Sequence, residues 1–144
     1  MLALGPIVMM VGFIMSTDYQ GVLGQEYLDE VKALDMNMTI FTIFITAIGI
    51  LMVFGGLFLL SQDLMANSGK MQRDMLLMSR IGFMFAFTVF YLFFALQLES
   101  IAIAQGENDD YASDPALVDE LALDTHYMAE SIWSSMPIAW GTAL

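Results

Sequence analysis

The chain contains no cysteine, three prolines and only four lysine and arginine residues. Without cysteine it forms no disulfide, no thiolate metal site and no cysteine nucleophile. The scarcity of basic side chains argues against nucleic-acid binding, because that affinity begins with lysine and arginine neutralising phosphates. Sixteen acidic residues bring the formal net charge to −12, which also argues against docking on an anionic lipid surface.

Hydrophobic residues are abundant and are separated from the charged ones. They make up 58% of the 144 residues, and the mean hydropathy is +0.70, above the values of an ordinary soluble domain. All formal charges lie in three segments, residues 16–38, 61–80 and 99–131. This alternation is typical of polar segments that separate membrane-spanning helices.

Two uncharged runs predict the central spans. Residues 39–60 form a run of 22 residues and residues 81–98 a run of 18. A hydrocarbon core about 30 Å thick requires about 20 helical residues, so both runs predict transmembrane helices. The second helix can continue to residue 104. Both runs are apolar on every side, as expected of helices surrounded by lipid.

The two ends of the chain are also apolar. Residues 2–17 predict a first span, without the basic start and cleavage site of a signal peptide. Residues 132–144 are short, which favours an interfacial or re-entrant segment, or the end of a span that begins in the preceding polar helix. The expected fold is an all-α integral membrane protein, a single membrane domain with three to four hydrophobic segments around a central transmembrane hairpin.

The basic residues predict the orientation of this hairpin. Three of the four lie in residues 61–80, which are expected to form a short basic turn between the central spans. Because lysine and arginine bias a loop toward the cytoplasm, this turn is expected inside. The acidic segments 16–38 and 99–131 then lie outside.

The outer acidic segments contain two predicted amphipathic helices. Residues 25–38 place four apolar positions near one face, namely Leu28, Val31, Leu34 or Ala33, and Met38. In the second helix, Asp114 is the expected N-cap and Pro115 the first helical residue. Its apolar residues follow at helical spacing: Leu117, Leu121, Met128 and Ile132.

His126 is the single histidine of the chain. On a helix, His126 and Glu130 lie one turn apart and share a face, which suits two metal ligands. Asp124 is a third candidate ligand, although it lies roughly on the opposite side of a regular helix. A histidine on a solvated acidic helix explains the same pattern, and a complete metal site would require ligands from another chain.

Glu99 directly follows the second central run. Carboxylates within a membrane are usually paired, water-facing or functional. Glu99 therefore either marks the outer end of its span or contacts a proton, a cation or a neighbouring subunit. Both spans also contain small residues that allow helices to pack closely: Gly49, Gly56, Gly82 and Ala86.

Three functions are compatible with these features. The first is a non-catalytic accessory or structural subunit of a larger multi-subunit membrane complex, in contact with the lipid bilayer and with identical or different subunits. Such a subunit can belong to an enzyme complex without being an enzyme itself. The second is a homo-oligomeric cation channel or carrier with an acidic outer vestibule. The third is a metal-binding membrane enzyme subunit that uses His126 and nearby carboxylates. The sequence predicts no catalytic residue and identifies no cofactor, and no nucleic-acid partner is expected.

Overall fold

The computed structural model describes residues 3–15, 22–106 and 114–143, which are 89% helical and contain no strand. Six helices follow one another along the chain: α1 (Leu4–Met15), α2 (Gln25–Lys32), α3 (Met36–Ala66), α4 (Lys70–Ala104), α5 (Pro115–Ser134) and α6 (Met136–Ala143). The all-α prediction is confirmed. Two of these helices, α3 and α4, are long and apolar enough to cross a membrane.

The predicted outer helix 25–38 is in fact two elements, because α2 ends at Lys32 and α3 begins at Met36. The side chain of Asp35 accepts a hydrogen bond from the Met38 backbone N–H at 2.9 Å and caps α3. An N-cap residue has an extended backbone, so a helix cannot continue through it. Met38, expected on the apolar face of the outer helix, instead lies in the first turn of α3 and is 55% exposed.

The turn between α3 and α4 is shorter than predicted. Residues 61–66 continue α3 and residues 70–80 begin α4, so only residues 67–69 of the predicted turn 61–80 are non-helical. The uncharged runs indicate only which part of each helix can lie in hydrocarbon. The helices extend further, because backbone hydrogen bonds continue through polar residues. With 31 and 35 residues, α3 and α4 are about 46 and 52 Å long. Both exceed the thickness of a hydrocarbon core, about 30 Å.

The helices form an open bundle in which neighbours along the chain pack side by side. α1 packs on α3, α3 on α4, and α4 on both α5 and α6, while the short α2 packs on α4 and α5. Within the described residues, the backbone of α1 approaches no helix except α3, and that of α3 approaches only α1 and α4. α3 is therefore contacted by two helices only, and large apolar side chains of both α3 and α4 remain exposed.

Glycines allow α1 and α3 to approach closely. A Cβ atom at Gly12 would lie 2.1 Å from Thr46 Oγ1, and one at Gly49 would lie 2.4 Å from the Met9 backbone nitrogen. Gly49 is therefore a packing position for α1. The described α1 has 12 residues, about 18 Å of helix, within the first span predicted for residues 2–17. Residues 2, 16 and 17 lie outside the described part of the chain.

Aromatic rings fill the contact between α4 and the C-terminal helices. The Trp133 ring lies 6.0 Å from the Phe90 ring and 4.9 Å from the Phe93 ring, measured between centroids. Met136 at the start of α6 joins the same buried cluster. The C-terminal apolar segment 132–144 is thus shared between the end of α5 and α6, with Leu144 outside the described residues. The other small residues predicted for helix packing are buried: Gly56, Gly82 and Ala86.

α5 begins as predicted, and its predicted apolar face is only partly buried. The Asp114 side chain accepts hydrogen bonds from the backbone N–H groups of Ala116 and Leu117, and Pro115 is the first helical residue. Of the four apolar residues predicted at helical spacing, Leu117 and Met128 are 44% and 54% exposed, whereas Leu121 and Ile132 are partly buried and pack against buried apolar residues. The buried residues are small or polar: Val118, Ala122, Thr125, His126 and Ala129. Small side chains on this face allow α5 to lie close to α4.

Candidate functional site

A cluster of buried polar side chains lies where α2, α4 and α5 meet. We call it the polar junction, and its members are Tyr27, Gln97, Ser100, His126 and Glu130. Tyr27, Ser100 and His126 are fully buried, Gln97 is 2% exposed, and Glu130 is partly buried. Burying a polar group is unfavourable unless it is hydrogen-bonded, so the bonds in this cluster decide what it can do.

Two hydrogen bonds in series link the three helices. Ser100 Oγ donates to the backbone carbonyl of Ala122 at 2.7 Å, and Tyr27 Oη lies 2.8 Å from Ser100 Oγ. A carbonyl only accepts hydrogen bonds, so the single hydroxyl proton of Ser100 is used in the bond to Ala122. Tyr27 must therefore donate its hydroxyl proton to Ser100. The series runs from α2 through α4 to the backbone of α5.

His126 is held in one tautomer. Its Nε2 lies 3.1 Å from the backbone carbonyl of Val22, and because a carbonyl only accepts, Nε2 carries the proton. Nδ1 of the neutral ring then presents a lone pair, and this buried atom has no hydrogen-bond partner among the described residues. The ring stacks on Tyr27 with centroids 3.7 Å apart and planes inclined by 16°.

Burial lowers the pKa of His126 below its usual 6.5. The hydrogen bond to Val22 and the negative charge of Glu130 act in the opposite direction but do not compensate for desolvation. The neutral ring is therefore the stable form in the folded chain at neutral pH.

Gln97 connects α4 to the second half of α5. Its Nε2 donates to Glu130 Oε1 at 3.3 Å, while its buried Oε1 has no partner in the described part of the chain. The junction therefore contains two buried acceptor atoms without a donor, Oε1 of Gln97 and Nδ1 of His126. Glu130 lies one helical turn after His126 and beside Gln97, so its carboxylate belongs to the same cluster.

Two further contacts hold α2 against its neighbours. Gln105 Nε2, just after the end of α4, donates to the carbonyls of Val31 and Leu34 at 2.8 and 2.9 Å. The Val31 carbonyl belongs to the last turn of α2, where helix carbonyls lack partners within the helix, and the Leu34 carbonyl lies two residues after the end of α2. Lys32 Nζ also forms an ion pair with Asp119 of α5.

The structure brings some of the predicted site residues together and separates others. His126 and Glu130 both belong to the polar junction, whereas Asp124 is exposed. Within residues 3–15, 22–106 and 114–143, no three histidine, cysteine, aspartate or glutamate side chains form a group that suits a metal ion. The metal site at these three residues therefore stays a prediction. Glu99 is exposed on α4 and is not a member of the junction, although its neighbour Ser100 is.

Tyr27, Gln97 and Ser100 are members of the junction that sequence reasoning did not identify. Gln97 and Ser100 are three residues apart at the end of an apolar run, a spacing that places two polar side chains on one helix face. That spacing is the local signal for a polar contact. The role of Tyr27 has no comparable signal in the sequence.

The arrangement can hold α2 and α5 on α4, and it contains one imidazole nitrogen and one carboxylate. It contains no paired nucleophile and base. No protein-family model, curated protein or solved structure matches the chain, so no relative contributes a function to it.

Proposed function

We propose that the chain is a non-catalytic accessory subunit of a larger multi-subunit membrane protein complex. In this proposal α3 and α4 cross the bilayer as a hairpin, and the uncovered sides of the open bundle contact lipid and neighbouring subunits. The observation that carries the proposal is the order in which the helices pack: α1 contacts α3, α3 contacts α4, and α4 contacts α5 and α6. The apolar surfaces of α3 and α4 that these contacts leave exposed require lipid or a neighbouring subunit.

The exposed side chains of α3 and α4 support this reading. Large apolar residues on both helices are about half exposed or more, among them Phe41 (50%), Phe44 (61%), Leu51 (55%), Met84 (59%), Phe85 (54%) and Tyr91 (64%). Contiguous exposed apolar surface of this kind marks sites that contact protein or lipid. A bundle that is built this way is suited to fit between larger helical subunits.

The polar groups within the spans favour an accessory role over a channel. A selective pore requires polar or charged groups directed toward a path for the ion. In α3, the hydroxyls of Thr39 and Thr46 each donate to a carbonyl of their own helix at 2.9 Å, so they are already satisfied. Glu99 remains the residue on which a channel or carrier would depend, and no contact of Glu99 favours that function.

The orientation proposed for the hairpin follows the positive-inside rule. The basic segment 61–80 would face the cytoplasm, and the acidic segments 16–38 and 99–131 would face outward. The polar junction then fastens the outer helices α2 and α5 to the outer end of α4. The exposed acidic residues of α2 and α5 would form a docking surface for subunits on that side.

Purification from native membranes in a mild detergent tests this proposal. We expect the chain to co-purify with larger membrane subunits at a fixed stoichiometry. Replacement of two exposed aromatic residues, Phe44→Ala with Tyr91→Ala, should reduce that recovery, whereas Asn67→Ala in the exposed turn between α3 and α4 should not. A stable isolated monomer in mild detergent, or a monodisperse protein in buffer without detergent, would contradict the proposal.

A further inference from the structure

An apolar groove runs between α3 and α4 on one side of the hairpin. It has a volume of about 320 Å³, within the range of small-molecule sites, and its lining has no polar surface. The lining includes Leu51, Phe54, Gly55, Phe58, Phe83 and Phe87. Gly55 leaves the groove open, because a Cβ atom at this position would have no described atom within 4 Å.

Arg80 lies at the end of the groove nearest the turn between α3 and α4. Its guanidinium carbon is 3.9 Å from the centre of the Phe58 ring, and Phe58 lines the groove. Nη1 contacts only the sulfur of Met65, at 3.7 Å, and the buried Nε has no partner among the described residues. No described carboxylate forms an ion pair with Arg80. The groove thus ends beside a cation that forms no ion pair with any described residue.

We propose that this groove binds an acyl chain of an anionic phospholipid whose phosphate contacts Arg80. The proposal rests on the proposed function, because a lipid reaches the groove only where α3 and α4 lie in a bilayer. A planar guanidinium suits a phosphate, to which it donates two parallel hydrogen bonds. The residues that line the groove, which also include Met84, provide the apolar surroundings that an acyl chain requires.

The net charge of −12 does not prevent this contact, because charge is unevenly distributed along the hairpin. Lys70 and Arg73 lie at the same end of the hairpin as Arg80. The two acids at that end, Asp63 and Asp74, are exposed. Along α4, Arg80 and Glu99 are about 28 Å apart at 1.5 Å per residue. In the proposed orientation the outer acids lie in solvent on the opposite side of the bilayer, where salt screens exposed charges within about 8 Å, so they scarcely affect a phosphate at Arg80.

Native mass spectrometry of the detergent-purified chain tests the proposal. The probes are phosphatidylglycerol and phosphatidylcholine with identical acyl chains, supplied in equal amounts. Both phosphates can accept hydrogen bonds from Arg80, but the choline ammonium of phosphatidylcholine offsets the phosphate charge and repels the guanidinium. We therefore expect roughly tenfold more bound phosphatidylglycerol, a ratio that corresponds to about 1.4 kcal/mol. Equal binding of the two lipids would overturn the proposal.

Three variants separate the phosphate contact from the groove. Arg80→Gln should abolish the preference for phosphatidylglycerol while leaving some binding of both lipids. Arg73→Gln is the matched control, because Arg73 is exposed on the same helix and donates only to the Ser68 carbonyl, at 3.5 Å. Gly55→Leu should fill the groove and reduce binding of both lipids, with helicity and elution volume unchanged. An equal loss of preference in Arg73→Gln, or unchanged binding in Gly55→Leu, would overturn the proposal.

A helix of a second copy or of a partner subunit is the alternative occupant. The chain has no cysteine, so Gly55→Cys introduces a unique thiol for cross-linking in native membranes. A cross-link from Gly55→Cys to protein would overturn lipid binding at this groove, whereas modification by a thiol-reactive lipid probe alone would support it. A membrane-embedded chain without lipid preference would contradict only this inference, and a chain soluble without detergent would contradict the proposed function as well.

Discussion

Tyr27 Oη lies 2.8 Å from Ser100 Oγ, although 73 residues separate them in the chain. The bond joins α2 to α4, and the Ser100 hydroxyl donates a hydrogen bond to the Ala122 carbonyl of α5. One serine hydroxyl therefore links three helices. Its removal should destabilise the packing of α2 and α5 on α4 more than removal of the Tyr27 hydroxyl does.

Ser100→Ala should lower the free energy of unfolding by about 1–3 kcal/mol, because it leaves the buried Tyr27 hydroxyl and Ala122 carbonyl without this partner. Tyr27→Phe should have a smaller effect, about 0.5–1.5 kcal/mol, since Ser100 keeps its bond to Ala122. Thermal and denaturant unfolding in detergent measure both. Ser131→Ala is the control, because that exposed hydroxyl bonds only within α5. A larger effect of Tyr27→Phe than of Ser100→Ala would contradict the proposed bond directions.

The stability of the folded chain should decrease as the pH falls through about 6.5. Burial lowers the pKa of His126 from 6.5, so the unfolded chain binds a proton at a higher pH than the folded chain does. Well above pH 6.5, His126 does not change the free energy of unfolding with pH. Below pH 6.5 it increasingly lowers that free energy, until His126 is protonated in the folded chain too. Among the described residues, the titratable groups around this ring are Tyr27, Tyr127 and Glu130.

Thermal unfolding at pH 7.5 and pH 5.5 measures this effect, and His126→Gln provides the comparison. The decrease in unfolding temperature on acidification should be larger in the native chain than in His126→Gln, which keeps an N–H donor but does not titrate. An equal decrease in both chains would assign the pH dependence to the carboxylates instead.

Gly49→Ala should weaken the contact between α1 and α3. The added methyl group would lie 2.4 Å from the backbone nitrogen and 2.6 Å from the Cα atom of Met9, so α1 must move. Overpacking of this kind destabilises proteins by about 1–3 kcal/mol. Gly141→Ala is the control, since no described atom lies within 4 Å of its added methyl group. That change should be neutral or stabilising by up to about 1 kcal/mol, and equal effects of the two variants would argue against close packing at Gly49.

The purified chain alone should contain less than one equivalent of metal. Only His126 and Glu130 of the three predicted ligands lie in the polar junction, and two protein ligands are too few for a structural zinc site. Elemental analysis of the native chain and of His126→Ala measures this. One equivalent of metal in the native chain that is absent from His126→Ala would contradict this expectation and support the metal-binding function.

Single cysteines on a cysteine-free background test the orientation of the hairpin. Leu23→Cys, at a side chain 56% exposed before α2, should react with an impermeant maleimide on intact cells. Gly69→Cys, in the exposed turn before α4, should react only after permeabilisation, because the proposed orientation places it in the cytoplasm. Labelling of both cysteines from the same side of the membrane would contradict a single crossing between them.

Local features of the sequence were sufficient to predict the helical class and most helix positions. The runs 39–60 and 81–98 lie within α3 and α4, and Asp114 with Pro115 begins α5 as predicted. These features depend on hydropathy and on hydrogen bonds between residues a few positions apart. The end of α2 was missed because Asp35 caps α3, although a capping residue is also a local signal.

Only the tertiary structure decided which faces of the helices are buried and which polar groups meet. α5 buries Ala122 and His126 rather than Leu117 and Met128, because a close neighbour favours small side chains and hydrogen bonds over large apolar ones. The contact of His126 with Val22 spans 104 residues and is set by the approach of whole helices. Short-range periodicity describes one helix at a time, so it contains no information about which helix lies beside it.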